Sequence, residues 1–123
     1  MAKKILLIED EPDQRMMVEI RLEAAGYEII AAADGEEGLK KAYEGKPDLI
    51  LLDIVMPKMD GYEVCKCLKE NQDTRDIPII TITASGEREL GEKCLAAGAE
   101  DVIGKPYDPK ELVAKIKALL KES

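Results

Sequence analysis

Asp48-Leu49-Ile50-Leu51-Leu52-Asp53 is a short apolar run closed at each end by a carboxylate. Its length and its Ile and Leu content predict a strand covered on both faces, the kind found inside parallel sheets. A second run, Lys4-Ile5-Leu6-Leu7-Ile8, ends in Glu9-Asp10-Glu11. Open parallel α/β sheets bind ligands at the carboxyl ends of their strands, so Glu9, Asp10 and Asp53 are expected to converge on one crevice. Three carboxylates placed there repel one another unless a cation sits among them.

Outward from these two runs, strand-length and helix-like segments alternate to both ends of the chain. Strands are expected at residues 4–9, 28–32, 48–53, 78–83 and 101–104, all short and rich in Ile, Leu or Val as doubly covered strands should be. Pro12 suits the first turn of a helix over residues 12–25, with Met17, Ile20 and Ala24 recurring as its apolar face and Gly26 as its left-handed stop. Asp34, Asp60 and Asp108 each precede a glutamate by three residues, the capping pattern that opens the second, third and fifth helices. Gly86 and Gly98 bracket the fourth helix, whose Leu90, Cys94 and Leu95 are expected to face the sheet. Leu112, Ile116, Leu119 and Leu120 form the stripe of the fifth. Residues 70–76 read as a solvated connection. The sum is an α/β protein of (βα)5 type, one domain over residues 1–123.

Composition narrows the function classes. A net charge of -8 argues against general affinity for nucleic acid or anionic membranes. No apolar stretch approaches the ~20 residues of a spanning helix, and Met1-Ala2-Lys3-Lys4 leads straight into a strand, so a cytoplasmic location is expected. Three cysteines, Cys65, Cys67 and Cys94, form an odd set and there is no histidine, which favours reduced thiols in helices over disulfides or a zinc site. The lack of histidine also removes imidazole acid–base chemistry. Carboxylates, hydroxyls and lysine remain.

Four of the five strand ends carry such groups on one edge: Glu9-Asp10, Asp53, Thr83 and Lys105. Each alone has an ordinary explanation, as a helix cap, a strand residue or an ion-pair partner. Their coincidence points to a site. Three carboxylates are neutralised by one lysine and one divalent hard cation, and Mg²⁺ takes oxygen ligands while keeping waters for an incoming phosphate. A phosphoryl group on Asp53 adds charge that Lys105 and the Thr83 hydroxyl are available to meet. Unit charges ~4 Å apart at an effective dielectric of ~20 interact by roughly 4 kcal/mol, comparable with the gap between functional conformers. Such a change is large enough to drive a switch.

The chain resembles the receiver domain of two-component response regulators, the family that includes the chemotaxis regulator. The likeness runs from Lys4-Ile5-Leu6-Leu7-Ile8-Glu9-Asp10 through Leu52-Asp53-Ile54-Val55-Met56-Pro57-Lys58-Met59-Asp60-Gly61-Tyr62 and Ile82-Thr83-Ala84 to Lys105-Pro106-Tyr107. It implies a flavodoxin-like sheet in order 2-1-3-4-5, with two helices on one face and three on the other. It implies Asp53 as phosphoacceptor from a histidine kinase or phosphotransfer protein. Asp10 would bind Mg²⁺ directly, Glu9 mainly through metal-bound water, and the Val55 carbonyl would be a further ligand. Thr83 and Lys105 would hold phosphoryl oxygens, Ala84 would leave room beside them, and Lys105-Pro106 would be a cis peptide. Pro57 and Gly61 would shape the loop after the phosphorylated strand. Output would pass to a protein target or fused domain through the fourth helix, fifth strand and fifth helix, and homodimers form in the family through several faces.

Two positions depart from the family pattern. Val102 stands three residues before the lysine, where most receivers carry Tyr or Phe, and offers no large rotor. Gly104, just before Lys105, reads either as a loosened strand end or as a close approach of backbones. At the positions that tune dephosphorylation the chain has Val55 and Ser85; an apolar Val55 cannot orient water, so a long-lived phosphoryl state is expected. Other readings are a phosphorylation-independent adaptor, a flavin carrier, and a Mg²⁺-dependent aspartyl-phosphate phosphatase. The phosphatase would need an acid at position 55, and the flavin carrier a phosphate-cradling loop where Glu9-Asp10-Glu11 stands.

Overall fold

In the computed structural model, residues 2–54, 59–84 and 88–121 are described. Strands β1 (Lys4–Ile8), β2 (Glu28–Ala32), β3 (Leu49–Asp53), β4 (Ile79–Thr83) and β5 (Asp101–Gly104) alternate with helices α1 (Pro12–Ala24), α2 (Gly35–Gly45), α3 (Gly61–Glu70), α4 (Arg88–Ala96) and α5 (Pro109–Leu119). All four strand pairings are parallel and the order is β2-β1-β3-β4-β5. This is the expected flavodoxin-like fold. The order of strand addition reverses between β1 and β3, which lie side by side with Ile8 opposite Leu52.

The two-residue period of a strand divides the core. Leu6, Ile8, Ile50 and Leu52 pack with Ala42 of α2, Val64 and Leu68 of α3, and Cys94 of α4. Ile5, Leu7, Leu49 and Leu51 pack on the other face with Val18 and Leu22 of α1 and Leu112 and Ile116 of α5. Three helices thus cover one face and two the other. The central β3 and β4 are buried throughout, whereas the outer β2 and β5 are only half-buried, because an edge strand lacks one neighbour. The expectation of five fully covered strands is corrected to that extent.

Capping chemistry holds where the sequence wrote it. Asp34 accepts from the Glu37 amide at 2.8 Å, Asp60 from Glu63 at 2.9 Å and Asp108 from Lys110 at 2.9 Å, and Gly26 has φ +99°. Helix faces were harder to read. Met17 and Ile20, 56% and 59% exposed, turn to solvent with Ala24, while Val18 and Leu22 form the inward i, i+4 stripe of α1. Leu95 of α4 is likewise 44% exposed, and only Leu90 and Cys94 pack inward. The 70–76 connection is not wholly solvated either: Thr74 is buried and its hydroxyl donates to the Leu68 carbonyl at 2.7 Å. Cys65 and Cys67 lie in α3 and Cys94 in α4, all reduced, with Cys65 and Cys94 in the core.

Candidate functional site

The alternation that sorts the core also aims the acids. Continuing the register of Ile5 and Leu7 places Glu9, and continuing Leu49 and Leu51 places Asp53, on the α1/α5 side at the carboxyl ends of adjacent strands. Oxygens of Glu9, Asp10 and Asp53 all lie within 4.8 Å of one another. Glu9 and Asp53 are buried and Asp10 is half-buried. This is the cluster with metal-binding geometry found among the described residues.

Its electrostatics are tense. Glu9 is 3% exposed, and its carboxyl is pushed up to about 7, first by burial and then by its hydrogen bond and charge repulsion with Asp53. The Glu11 amide, 3.2 Å from Glu9 Oε2, and Lys105 pull the other way. Lys105 Nζ stands 3.5 Å from Asp53 Oδ2 and 3.6 Å from Glu9 Oε1, longer than a tight ion pair, and gives its short bond of 2.8 Å to Gln14 Oε1 on α1. The lysine bridges the two buried acids without neutralising either fully.

Neighbouring backbone is shaped to fit. Arg15 donates to the Glu9 carbonyl at 2.9 Å, pinning the turn that presents Glu9 and Asp10. Gly61 opens α3 directly against the end of β3, where its amide donates to the Ile54 carbonyl at 2.6 Å. A Cβ there would stand 2.6 Å from the Ile54 Cα, so no larger residue fits. The Lys105-Pro106 bond is cis. Burial raises the Tyr107 phenol just beyond it.

Thr83 ends β4, buried, with its Oγ1 3.5 Å from the Ile103 carbonyl, and Ala84 follows it. Val102 lies half-buried in β5. A Cβ built on Gly104 would meet Thr83 Oγ1 at 3.8 Å, an ordinary contact, so close backbone packing does not account for that glycine. Val55, Pro57 and Ser85 lie outside the described residues. Gln14 and Arg15 carried no signal in the sequence: both are polar residues on a helix with no local motif around them.

A parallel sheet of this order with acids from two adjacent strand ends and a lysine from a third defines a receiver-type α/β protein. The response regulator receiver domain family matches residues 5–117, and the chain belongs to that family. It is 46% identical over 123 residues to the alkaline phosphatase synthesis transcriptional regulatory protein PhoP of Bacillus subtilis, covering all of this chain and 50% of that protein. The chain therefore spans half the length of that relative. Among solved structures it is similar to the chemotaxis protein CheY4 of Vibrio cholerae, with TM-score 0.89 and 33% identity, covering 97% of this chain and 99% of that one. The receiver domain of the sensor histidine kinase PA1611 of Pseudomonas aeruginosa, solved with a magnesium ion coordinated in its active site cleft, matches with TM-score 0.89 and 32% identity over 99% of this chain and 100% of that one. Among the described residues no helix is long and apolar enough to cross a membrane.

Proposed function

We propose that residues 1–123 form one receiver domain that switches a protein-interaction surface when Asp53 is phosphorylated by a histidine kinase or a histidine phosphotransfer protein. The observation that carries this reading is the clustering of Glu9, Asp10 and Asp53 within 4.8 Å beside Lys105. All-oxygen donors at that spacing suit Mg²⁺, and an excess of buried negative charge favours a divalent ion. The magnesium ion in the cleft of the similar PA1611 domain supports the same choice. Bound there by Asp10, Asp53, the Val55 carbonyl and, through water, Glu9, Mg²⁺ would supply charge neutralisation for an incoming phosphoryl group.

The chain's own residues do the rest. An Asp53 carboxylate oxygen attacks phosphorus, the P–N bond of the partner's phosphohistidine breaks, and its electron pair stays on the imidazole nitrogen. Lys105 turns from Asp53 to a phosphoryl oxygen, and the Thr83 hydroxyl gives up its long contact with Ile103 to donate to another. Ala84, with its single methyl, leaves space for them. Val55 offers no polar atom to orient a hydrolytic water, so the acyl phosphate persists; Val55→Asn is expected to shorten its lifetime several-fold in a phosphate-release assay.

No separate substrate is turned over: the chemistry is self-phosphorylation and slow self-dephosphorylation. The relative named as a transcriptional regulatory protein supports a fused or bound output partner over direct nucleic-acid contact by this acidic domain. The test is amide NMR during addition of Mg²⁺ with beryllofluoride or acetyl phosphate. Shifts spreading from Ile54 toward the β4 and β5 ends, absent in Asp53→Asn, are expected; equal shifts in both proteins would sink the reading.

A further inference from the structure

Thr83 is the residue of this site that touches the opposite face of the sheet. Along β4, Ile80 and Ile82 join the α1/α5 core while Ile79 joins the core under α2, α3 and α4, so Thr83 shares the register of Ile79. Its methyl group meets α4 at Gly91. A Cβ built on Gly91 would lie 3.1 Å from Thr83 Cγ2, against 3.6 Å from Val102 Cγ1 and 3.8 Å from Ile54 Cδ1. Gly91 is buried, and any side chain there would press on the threonine methyl.

We propose, resting on the reading of Asp53 as phosphoacceptor, that this Thr83–Gly91 contact passes the state of the site to α4, and that residue 102 is not the relay. Three observations carry it. Among the described residues the Thr83 hydroxyl makes a long contact, 3.5 Å to the Ile103 carbonyl, which a charged phosphoryl oxygen outcompetes as an acceptor. Oγ1 and Cγ2 share one Cβ and occupy staggered wells, so re-aiming the hydroxyl by a well carries the methyl with it. Finally, α4 has room to respond. An open pocket of ≈ 340 Å³, whose lining includes Thr83, Ala84, Gly91, Leu95 and Val102, lies between α4 and β5. Helices in close-packed interiors shift only where such space exists. When the methyl moves away from Gly91, α4 settles toward the pocket, taking the half-exposed Leu95 with it. Val102 supplies a wall of that pocket; its short branched side chain has no reach to swing.

Gly91→Ala tests the coupling with every phosphoryl-binding side chain still in place, and alanine is the better helix former, so the variant folds. Its methyl presses on Thr83 Cγ2 and favours the rotamer that the phosphoryl group also favours. Amide shifts of Glu89–Ala96 are followed while Mg²⁺ and beryllofluoride are titrated into the wild type, Gly91→Ala and Val102→Ala. The expected result is that α4 amides of unliganded Gly91→Ala already lie part-way along the wild-type shift path. Its midpoint falls by about threefold, as a modest population shift requires, and Val102→Ala keeps the wild-type α4 response. Gly91→Ala amides at wild-type positions with an unchanged midpoint, or loss of the α4 response in Val102→Ala, overturn the relay. Those results, with a normal response at Asp10 and Ile54, leave the phosphoacceptor reading standing; a wild type silent at Asp10 and Ile54 overturns both.

Discussion

The two ends of this sheet both gather charge, and they treat it differently. At the amino end, before β4 and β5, Lys69 Nζ donates to the Arg75 and Ile77 carbonyls at 3.0 Å and to Glu100 at 2.9 and 3.1 Å. Glu100 Oε1 in turn accepts from the Ile79 amide at 2.8 Å. One cation meets one anion and each is fully hydrogen-bonded. At the carboxyl end, among the described residues, Glu9, Asp10 and Asp53 face Lys105 alone, whose two acid contacts are 3.5 and 3.6 Å. Charge at the amino end is balanced and tightly bonded; at the candidate site the clustered carboxylates outnumber the lysine beside them, the imbalance that a cation would relieve.

The largest expected effect breaks the site end alone. Asp53→Asn abolishes the beryllofluoride response while keeping the fold, read by the same amide spectra; a retained response would contradict the role given to that carboxylate. Lys69→Met strikes the structural end. With its side chain only 11% exposed, loss of the ammonium strands the Arg75 and Ile77 carbonyls and is expected to cost about 2 kcal/mol in urea unfolding, with beryllofluoride binding unchanged. A cost near zero would make the two ends alike.

The third effect is the pH dependence that the imbalance creates. The Glu9 carboxyl rises from 4.5 to about 7 on folding, so the metal-free folded state binds more protons than the unfolded chain between those values. Stability is therefore greatest below about 4.5 with respect to this group and declines as pH rises through about 7, by on the order of 2 kcal/mol. Glu9→Gln is expected to flatten the decline, and saturating Mg²⁺ to reverse it. Unfolding midpoints at a series of pH values check this; a slope of opposite sign would place the tension elsewhere. The smallest effect lies at the α2 cap, where the Ala33 amide donates to Glu37 at 2.6 Å and holds its carboxyl below the usual range. That contribution is present above the ordinary glutamate value and lost as pH falls through the lowered one. Because Glu37 is exposed, Glu37→Gln is expected to lose only about 0.3 kcal/mol near neutrality and nothing in strong acid.

Much of the site end was legible because its residues are written next to one another or at strand ends. Apolar runs stopping at Glu9, Asp53 and Thr83 locate the edge, and Asp-x-x-Glu spacing locates helix starts. The structural end was not legible: Lys69 and Glu100 are 31 residues apart and neither sits in a motif. The same holds for Gln14, which meets Lys105 across 91 residues. The inward face of α1 was misread because Met16, Met17 and Val18 are consecutive apolar residues, which leaves helical periodicity free to choose either side. Gly91 was silent for a related reason, since only the approach of α4 over Thr83 gives a missing side chain meaning.

The most direct measurement is the intact mass of the protein after incubation with acetyl phosphate, with Mg²⁺ or with chelator. The expected result is a gain of one phosphoryl group that requires Mg²⁺, maps to Asp53 and is absent in Asp53→Asn. No gain with Mg²⁺, or an equal gain in the Asp53→Asn protein, would contradict it.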